Sequence, residues 1–195
     1  MSRLFATLTL GLACLSAVYA APIQAAPPKK LTPLEKIKRL DIYNQVLPVV
    51  MTSEQIKALL PVIEQAQEKE RRLIKQEADE MKAMDERFDK ALDAAAKGEV
   101  PSRELQQDIH KLFRDFRMRR LALTIDSTED LVLLLKKTLD EGQIKAVANA
   151  ISVAEIAPDK KPEDVTEDEK LRGWVRIVLL DPMAYDLLVE MSRKS

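Results

Sequence analysis

Cysteine, glycine, histidine and aromatic residues are scarce in this chain. Its 195 residues include one cysteine, one histidine, four glycines and 4% aromatic residues. The cysteine, Cys14, lies in an N-terminal apolar run typical of a removable targeting segment, so the remaining chain can form no disulfide. Few glycines and no strand-like alternation argue against a β-sheet protein. Stability must therefore come from the packing of helices.

Neither positive nor negative charge dominates this chain. Lys and Arg total 31, Asp and Glu total 32, and the formal net charge is −1 at pH 7. Loss of residues 1–20 would remove Arg3 and no acidic residue, which takes the charge from −1 to −2. This balance gives no overall preference for nucleic acid or for an anionic membrane. No later segment is apolar enough to span a bilayer, so we expect a soluble mature protein.

The first twenty residues are typical of a signal peptide. Arg3 precedes a mostly apolar run over residues 4–18, and the following residues fit cleavage after Ala20. Two alternatives are an uncleaved anchor and a lipoprotein signal that ends at Cys14. We expect residues 21–31, rich in proline and alanine, to form a disordered spacer. The pattern predicts an exported protein.

Two long charged segments with a helical repeat organise the rest of the chain. One covers residues 52–97, the other runs from Ser102 towards Lys137, and both repeat apolar residues at alternating three- and four-residue steps. Such a repeat predicts two antiparallel helices packed along one seam. Gly98 can end the first helix in a left-handed conformation, and Ser102 can cap the second.

The seam is predicted to include Ile74, Met81 and Met84 in the first arm, with a kink at Pro61, which lacks an amide hydrogen. A short helix should precede the hairpin and end near Pro48. Its buried side is predicted to consist of Leu34, Ile37, Leu40 and Leu47.

The predicted fold class is all-α: a long antiparallel helical hairpin with short flanking helices and a C-terminal helical extension. The hairpin domain is expected over residues 32–155, a polar linker over 156–165 and the extension over 166–195. Abundant Ala, Leu, Glu, Lys, Arg and Gln agree with this prediction.

Two helix starts of the same kind flank the hairpin. Thr52 can cap its helix by accepting a hydrogen bond from the amide of Gln55, whose side chain can reach back to the Thr52 amide. The pattern recurs with Asp140 as the cap and Gln143 three residues later. These four residues are predicted to have a structural capping role.

These starts, Met51 to Gln55 and Leu139 to Gln143, together with the charged hairpin and the export signal, resemble the Spy/CpxP-like periplasmic proteins, which share a Leu-Thr-x-x-Gln motif. The resemblance covers roughly residues 43–151. It departs from the motif where Met51 replaces leucine and where Asp140 replaces threonine.

The resemblance implies a small helical homodimer in the periplasm. Spy-like proteins include ATP-independent chaperones that bind unfolded clients on a concave face, and relatives that act in envelope stress signalling or bind metal. It therefore implies unfolded or partner polypeptides as binding partners.

Residues 110–120 concentrate positive charge around two phenylalanines. A face of this kind can attract acidic, partly unfolded chains by charge and then hold them by apolar contact. The predicted client-binding residues are Phe113, Arg114, Arg117 and Arg120. Alternatively, these arginines pair across the hairpin with acidic residues such as Glu77, Glu80 or Asp85, and no client binds.

No catalytic or metal-binding pattern accompanies the helices. The histidine, His110, has Gln106 and Arg114 four residues to either side, and a cation at that spacing repels a metal ion. The chain has no Gly-rich phosphate loop and no nucleophile elbow, and no nucleic-acid-binding fold accompanies its arginines. We expect no enzymatic activity, cofactor, metal or nucleic-acid partner.

Two functional hypotheses follow from these features. The first is an exported, non-enzymatic polypeptide-binding protein, either an ATP-independent periplasmic chaperone or an envelope-stress protein. The second is a structural or regulatory helical protein that binds no client, with a metal-responsive sensor as a less favoured form. The exposed face of residues 113–120 distinguishes the two.

Overall fold

The computed structural model describes residues 31–194. Within this range the chain forms eight α-helices and no strand, so the all-α prediction is confirmed. The helices are Pro33–Val46 (α1), Ser53–Lys82 (α2), Asp85–Ala96 (α3), Arg103–Thr138 (α4), Glu141–Ala150 (α5), Val153–Ile156 (α6), Glu167–Trp174 (α7) and Ala184–Lys194 (α8). Short 3₁₀ turns occupy Leu47–Val49 and Pro162–Asp164, and a π-helical turn occupies Val175–Leu179. The predicted signal peptide and the spacer up to residue 30 lie outside the described residues.

The longest helices, α2 and α4, pack against each other and run antiparallel. The Lys69 ammonium on α2 lies 3.7 Å from the Asp130 carboxylate on α4, and the Glu80 carboxylate on α2 lies 2.6 Å from the Arg119 guanidinium on α4. As residue numbers rise along α2, the numbers of their partners on α4 fall, which defines the direction. With 36 residues, α4 is about 54 Å long.

The first arm is divided into two helices at a place that the sequence did not indicate. Pro61 lies inside α2, whose helical assignment continues from Ser53 to Lys82. The interruption comes at Ala83 and Met84, before α3 begins. The seam prediction was wrong for Ile74 and Met81, whose side chains are exposed.

A glycine ends α3, as predicted. Gly98 has φ of +88°, and its amide donates to the carbonyl of Ala95 while the Glu99 amide donates to that of Ala94. These two bonds form a Schellman motif, which satisfies carbonyls that the helix end leaves open. Ser102 then caps α4 by accepting a 3.2 Å bond from the amide of Leu105.

The main hydrophobic core lies where α1, the first half of α2, the last third of α4, α5, α7 and α8 meet. Its fully buried large side chains include Ile56, Leu59, Ile63, Leu131, Leu135, Leu171, Trp174, Leu179, Leu187 and Leu188. The predicted C-terminal extension is thus part of the same core as the long helices. Trp174 in particular has no solvent exposure.

The buried side predicted for α1 was wrong. Leu34, Ile37, Leu40 and Leu47 are 56–63% exposed. Instead, the helix packs through Ile42 and Val46, which are 4% and 1% exposed. Both sides of α1 carry apolar residues, and contacts with the 3₁₀ turn, α5 and α8 determine which side is buried.

Candidate functional site

The candidate client-binding residues lie in the first half of α4, where one of the two phenylalanines is buried and the other is exposed. Phe116 is 4% exposed, whereas Phe113 is 55% exposed. The rings pack edge to face, with centroids 6.1 Å apart and planes at 75°. This contact joins the exposed ring of Phe113 to a buried one in a geometry that aromatic pairs favour.

Arg119 belongs to the contact between α4 and α2. Its guanidinium donates two bonds, of 2.7 and 2.6 Å, to the carboxylate of Glu80, and its Cζ lies 5.2 Å from the ring centroid of Phe116. The Arg119 bonds, helped by a bond from Gln76, lower the pKa of Glu80 to about 2. The Glu80 carboxylate therefore stays charged until the pH falls close to that value.

Arg120, one of the four predicted client-binding residues, forms an ion pair with Glu77 of α2. Its Nε donates a 2.8 Å bond to Oε2 of Glu77, and a second guanidinium nitrogen contacts the same oxygen. The bond raises the pKa of Arg120, and the Glu77 side chain is only 1% exposed. Arg120 therefore compensates a buried charge, as the alternative interpretation of these arginines expects.

Arg114 and Arg117 have no comparable partner. Both are exposed, and the nearest acidic group to Arg114 is its chain neighbour Asp115, at 3.7 Å. Among the described residues, no ion pair or hydrogen bond involves the Arg117 side chain. These two guanidinium groups are available to an incoming chain.

Three further apolar residues share this side of α4, and sequence reasoning missed them. Met118, Leu121 and Ile125 are 58%, 51% and 51% exposed. They lie four, seven and eleven residues after Arg114, a spacing that aligns side chains along one side of a helix. Below, the outer face of α4 means Phe113, Arg114, Arg117, Met118, Leu121 and Ile125. A search for a second apolar stripe on α4 would have found it.

A cleft opens between α2 and α4 beside this region. It encloses about 320 Å³, and Ser127 at its lining is 5% exposed. Arg120 and Arg176 contribute positive charge and Glu70 contributes negative charge. The apolar lining residues are Ala66, Leu73, Ile74, Leu123 and Leu180. A cleft of this size and lining can hold one large apolar side chain of a bound polypeptide.

The two predicted capping motifs meet in the tertiary structure. Gln55 donates a 2.9 Å bond to the side-chain oxygen of Gln143, which donates a 3.0 Å bond in return. Each side-chain oxygen also accepts a bond from the amide of its own cap, Thr52 or Asp140. We call this reciprocal arrangement the glutamine pair.

The glutamine pair also bonds the backbone just before each cap. Gln55 donates to the carbonyl of Thr138 at 2.8 Å, and Gln143 donates to that of Val50 at 3.1 Å. Both acceptors lie two residues before a cap, so the starts of α2 and α5 form equivalent bonds to each other. The repeated Gln-Ile-Lys-Ala segments at 55–58 and 143–146 are the sequence signal of this equivalence.

Val50, next to the glutamine pair, has a conformation that suits glycine. Its φ is +50°, and its side chain is 77% exposed. A left-handed conformation costs a non-glycine residue about 1–2 kcal/mol. Bonds from Gln143 and to Leu47 hold the backbone of Val50 in place despite this cost.

We expect Val50→Gly to raise the free energy of unfolding by about 0.5–1 kcal/mol, because relief of the left-handed strain exceeds the added flexibility of the unfolded chain. Urea denaturation followed by circular dichroism measures the change. Val100→Gly is the matched control, since Val100 is 85% exposed and its φ is not positive. It should lower stability or leave it unchanged. An equal response of the two variants would contradict the strain at Val50.

Comparisons with known proteins add no identification: no protein-family model, curated protein or solved structure matches this chain. Over residues 31–194, no helix is both long enough and apolar enough to cross a membrane. In the same range, no three His, Cys, Asp or Glu side chains come together in a way that could hold a metal ion.

Proposed function

We propose that this protein is an exported, non-enzymatic polypeptide-binding protein that holds partly unfolded chains on the outer face of α4 without ATP. The observation that carries the proposal is the exposure of four large apolar side chains beside two exposed arginines that form no ion pair with α2. The apolar residues are Phe113, Met118, Leu121 and Ile125.

The arginines of this cluster fall into two structural roles, and this difference supports a specific binding mode. Arg119 and Arg120 are engaged by acidic residues of α2, so they support the helix pair. Arg114 and Arg117 project from the outer face and can attract acidic segments. Charged groups at the rim of an interface mainly raise the association rate, whereas apolar anchors lengthen the bound lifetime.

Features outside α4 agree with this proposal. The N-terminal signal pattern suggests export, and the two glutamine-containing helix starts suggest a relationship to Spy/CpxP-like proteins. Such proteins act where ATP is absent, so binding energy must come from surface contacts alone. An exposed apolar stripe with cationic residues suits weak binding of many unfolded sequences.

We expect the purified protein, at up to equimolar ratio, to suppress the aggregation of a chemically denatured acidic client in the absence of ATP. Added salt should weaken the suppression, because charges are screened over about 8–10 Å at physiological ionic strength. Arg114→Gln/Arg117→Gln should mainly slow capture. Phe113→Ala should speed release by about tenfold or more. Light scattering and stopped-flow fluorescence measure these effects.

The controls are matched in exposure and charge. Arg71→Gln/Lys75→Gln removes two exposed cations from α2, and Leu92→Ala removes a 67% exposed side chain from α3. Neither should alter capture or release. Arg120 is not substituted, because its removal would leave the buried Glu77 carboxylate without its guanidinium partner. If the wild type fails to suppress aggregation at any salt concentration, the proposal is wrong.

The second candidate function is a structural or regulatory protein without clients. The ion pairs of Arg119 and Arg120 favour it, since they use half of the arginines in the cluster to join α4 to α2. On this hypothesis, substitutions on the outer face of α4 change neither stability nor any interaction with denatured chains. The aggregation assay thus separates the two candidates.

A further inference from the structure

A second exposed apolar surface lies on α1 and on Leu47, the first residue of the 3₁₀ turn that follows it. Ile37, Leu40 and Leu47 are 63%, 61% and 56% exposed, and Asn44 between them is also exposed. We call these four residues the α1 seam. They follow one another at steps of three, four and three residues, which is the a/d spacing of a coiled coil.

The charges beside the seam are arranged for self-association. With Ile37 and Asn44 at a positions, Lys36 occupies a g position and Asp41 the following e position. In a parallel coiled coil, a g residue of one helix faces the next e residue of its partner. Lys36 of one copy would thus meet Asp41 of the other, twice by symmetry.

Both of these charged groups are free to form such pairs. In the described part of the chain, the Lys36 ammonium has no hydrogen bond or ion pair, and Asp41 accepts one 3.4 Å bond from Gln45 of its own helix. By contrast, Arg39 pairs with Glu190 of α8, so it faces the body of the protein. The seam and its flanking charges therefore lie on the side of α1 that the rest of the fold leaves uncovered.

We propose that the α1 seam is a homodimer interface in which two copies of α1 pack side by side in parallel. Asn44 would then lie opposite Asn44 of the second copy, where their amides can hydrogen-bond. An antiparallel pair would place Asn44 against Leu40 and bury an unpaired amide. A single buried Asn at an a position is a known determinant of register and two-stranded association.

A short helix can serve as this interface because it is already folded. Isolated helices of 14 residues are marginal in water, since nucleation is costly. Here Ile42 and Val46 anchor α1 in the core, and the capping box of Thr32 and Glu35 fixes its start. Dimerisation then orders few additional groups, which lowers its entropic cost.

Sedimentation velocity tests the interface. We expect the wild type to dimerise and Leu40→Glu to weaken the dimer by at least about 100-fold, because it places two charges in an apolar seam. Leu92→Glu, at an equally exposed site on α3, should leave the dimer unchanged. A monomeric wild type at 100 µM, or a Leu40→Glu variant that dimerises normally, would overturn the proposal. Binding of such a monomer to phospholipid vesicles would assign the seam to a lipid surface instead.

Cysteine cross-linking tests the parallel orientation. In a chain carrying Cys14→Ser, Asn44→Cys should form an intermolecular disulfide under mild oxidation, because a positions of parallel helices face each other. In an antiparallel dimer, a cross-link would require a mixture of the Asn44→Cys and Leu40→Cys variants. Cross-linking that occurs only in the mixture would overturn the parallel arrangement.

A charge exchange tests the role of Lys36 and Asp41. Lys36→Glu and Asp41→Lys should each weaken the homodimer several-fold, since each creates two like-charge contacts. A mixture of the two variants should form a heterodimer of wild-type affinity, in which both contacts are attractive again. Failure of the mixture to restore affinity would contradict the assigned register.

Discussion

A chain that ends at Val165 is expected not to fold. Deletion of residues 166–195 removes a large part of the core, including side chains that are 0–1% exposed: Leu171, Trp174, Val175, Val178, Leu179, Leu187 and Leu188. Full burial of one such side chain contributes about 1.5–3 kcal/mol. Their loss, together with the newly exposed surface of α2 and α5, exceeds the total of about 5–15 kcal/mol by which native domains are stable.

A single substitution tests the same contribution in the full-length protein. Trp174→Ala should lower the free energy of unfolding by about 3–5 kcal/mol, because it leaves a large cavity where the indole packed. Ile177→Ala in the adjacent π-helical turn is the control, since Ile177 is 37% exposed and should cost much less. Circular dichroism and urea denaturation report both effects. A cooperative unfolding transition in the truncated chain would show that the C-terminal helices are dispensable.

The glutamine pair is expected to behave as one energetic unit. Gln55→Ala and Gln143→Ala should each lower the free energy of unfolding by about 1–3 kcal/mol, because each removes the reciprocal bonds and leaves a cap amide and a backbone carbonyl without their side-chain partner. The double variant should lose less free energy of unfolding than the sum of the losses in the two single variants. The coupling free energy between the two sites should reach about 1 kcal/mol, which is well above the deviation from additivity that is typical of distant sites.

Denaturation of the four proteins of this double-mutant cycle gives the coupling directly. Thr52→Ala provides a comparison, because it removes a cap bond to the Gln55 amide and is expected to cost about 0.5–2 kcal/mol. It should be nearly additive with Gln143→Ala. Additive effects of Gln55→Ala and Gln143→Ala would mean that their reciprocal bonds contribute nothing beyond two independent caps.

Helix starts and turns were predictable because their causes are local. Thr52 and Gln55 satisfy each other's amides within three residues, as do Asp140 and Gln143. Gly98 takes its left-handed conformation because the helix end needs a residue without a Cβ atom. The all-α class followed from the same short-range preferences, summed over a chain with few glycines.

Local bonding also explains why α4 continues through a run of β-branched residues. The run from Thr124 to Thr128 contains β-branched and capping residues that can interrupt a helix. Each of these threonine hydroxyls donates to the carbonyl four residues earlier, at 2.9 and 2.7 Å. Because the hydroxyls are satisfied within the helix, they do not compete with its backbone bonds, and α4 runs unbroken to Thr138.

The candidate binding residues were only partly predictable. The cluster of arginines and phenylalanines is evident in the sequence, and Phe113, Arg114 and Arg117 are exposed. Whether an arginine is free depends on residues about forty positions away, as Glu77 is from Arg120. Met118, Leu121 and Ile125 escaped notice because their exposure depends on what the tertiary structure places over α4.

By itself, the sequence determined that the described chain is helical, where α2, α4 and α5 begin, and how α3 ends, since these outcomes depend on bonds within a few residues. The tertiary structure decided which apolar side is buried. Ile37 and Ile42 are equally apolar, yet contacts with α5 and α8 bury the side of α1 that carries Ile42 and leave Ile37 in solvent. The apolar free energy of burial is nondirectional, so the competition between two apolar sides of one helix is settled only when the other helices pack against it.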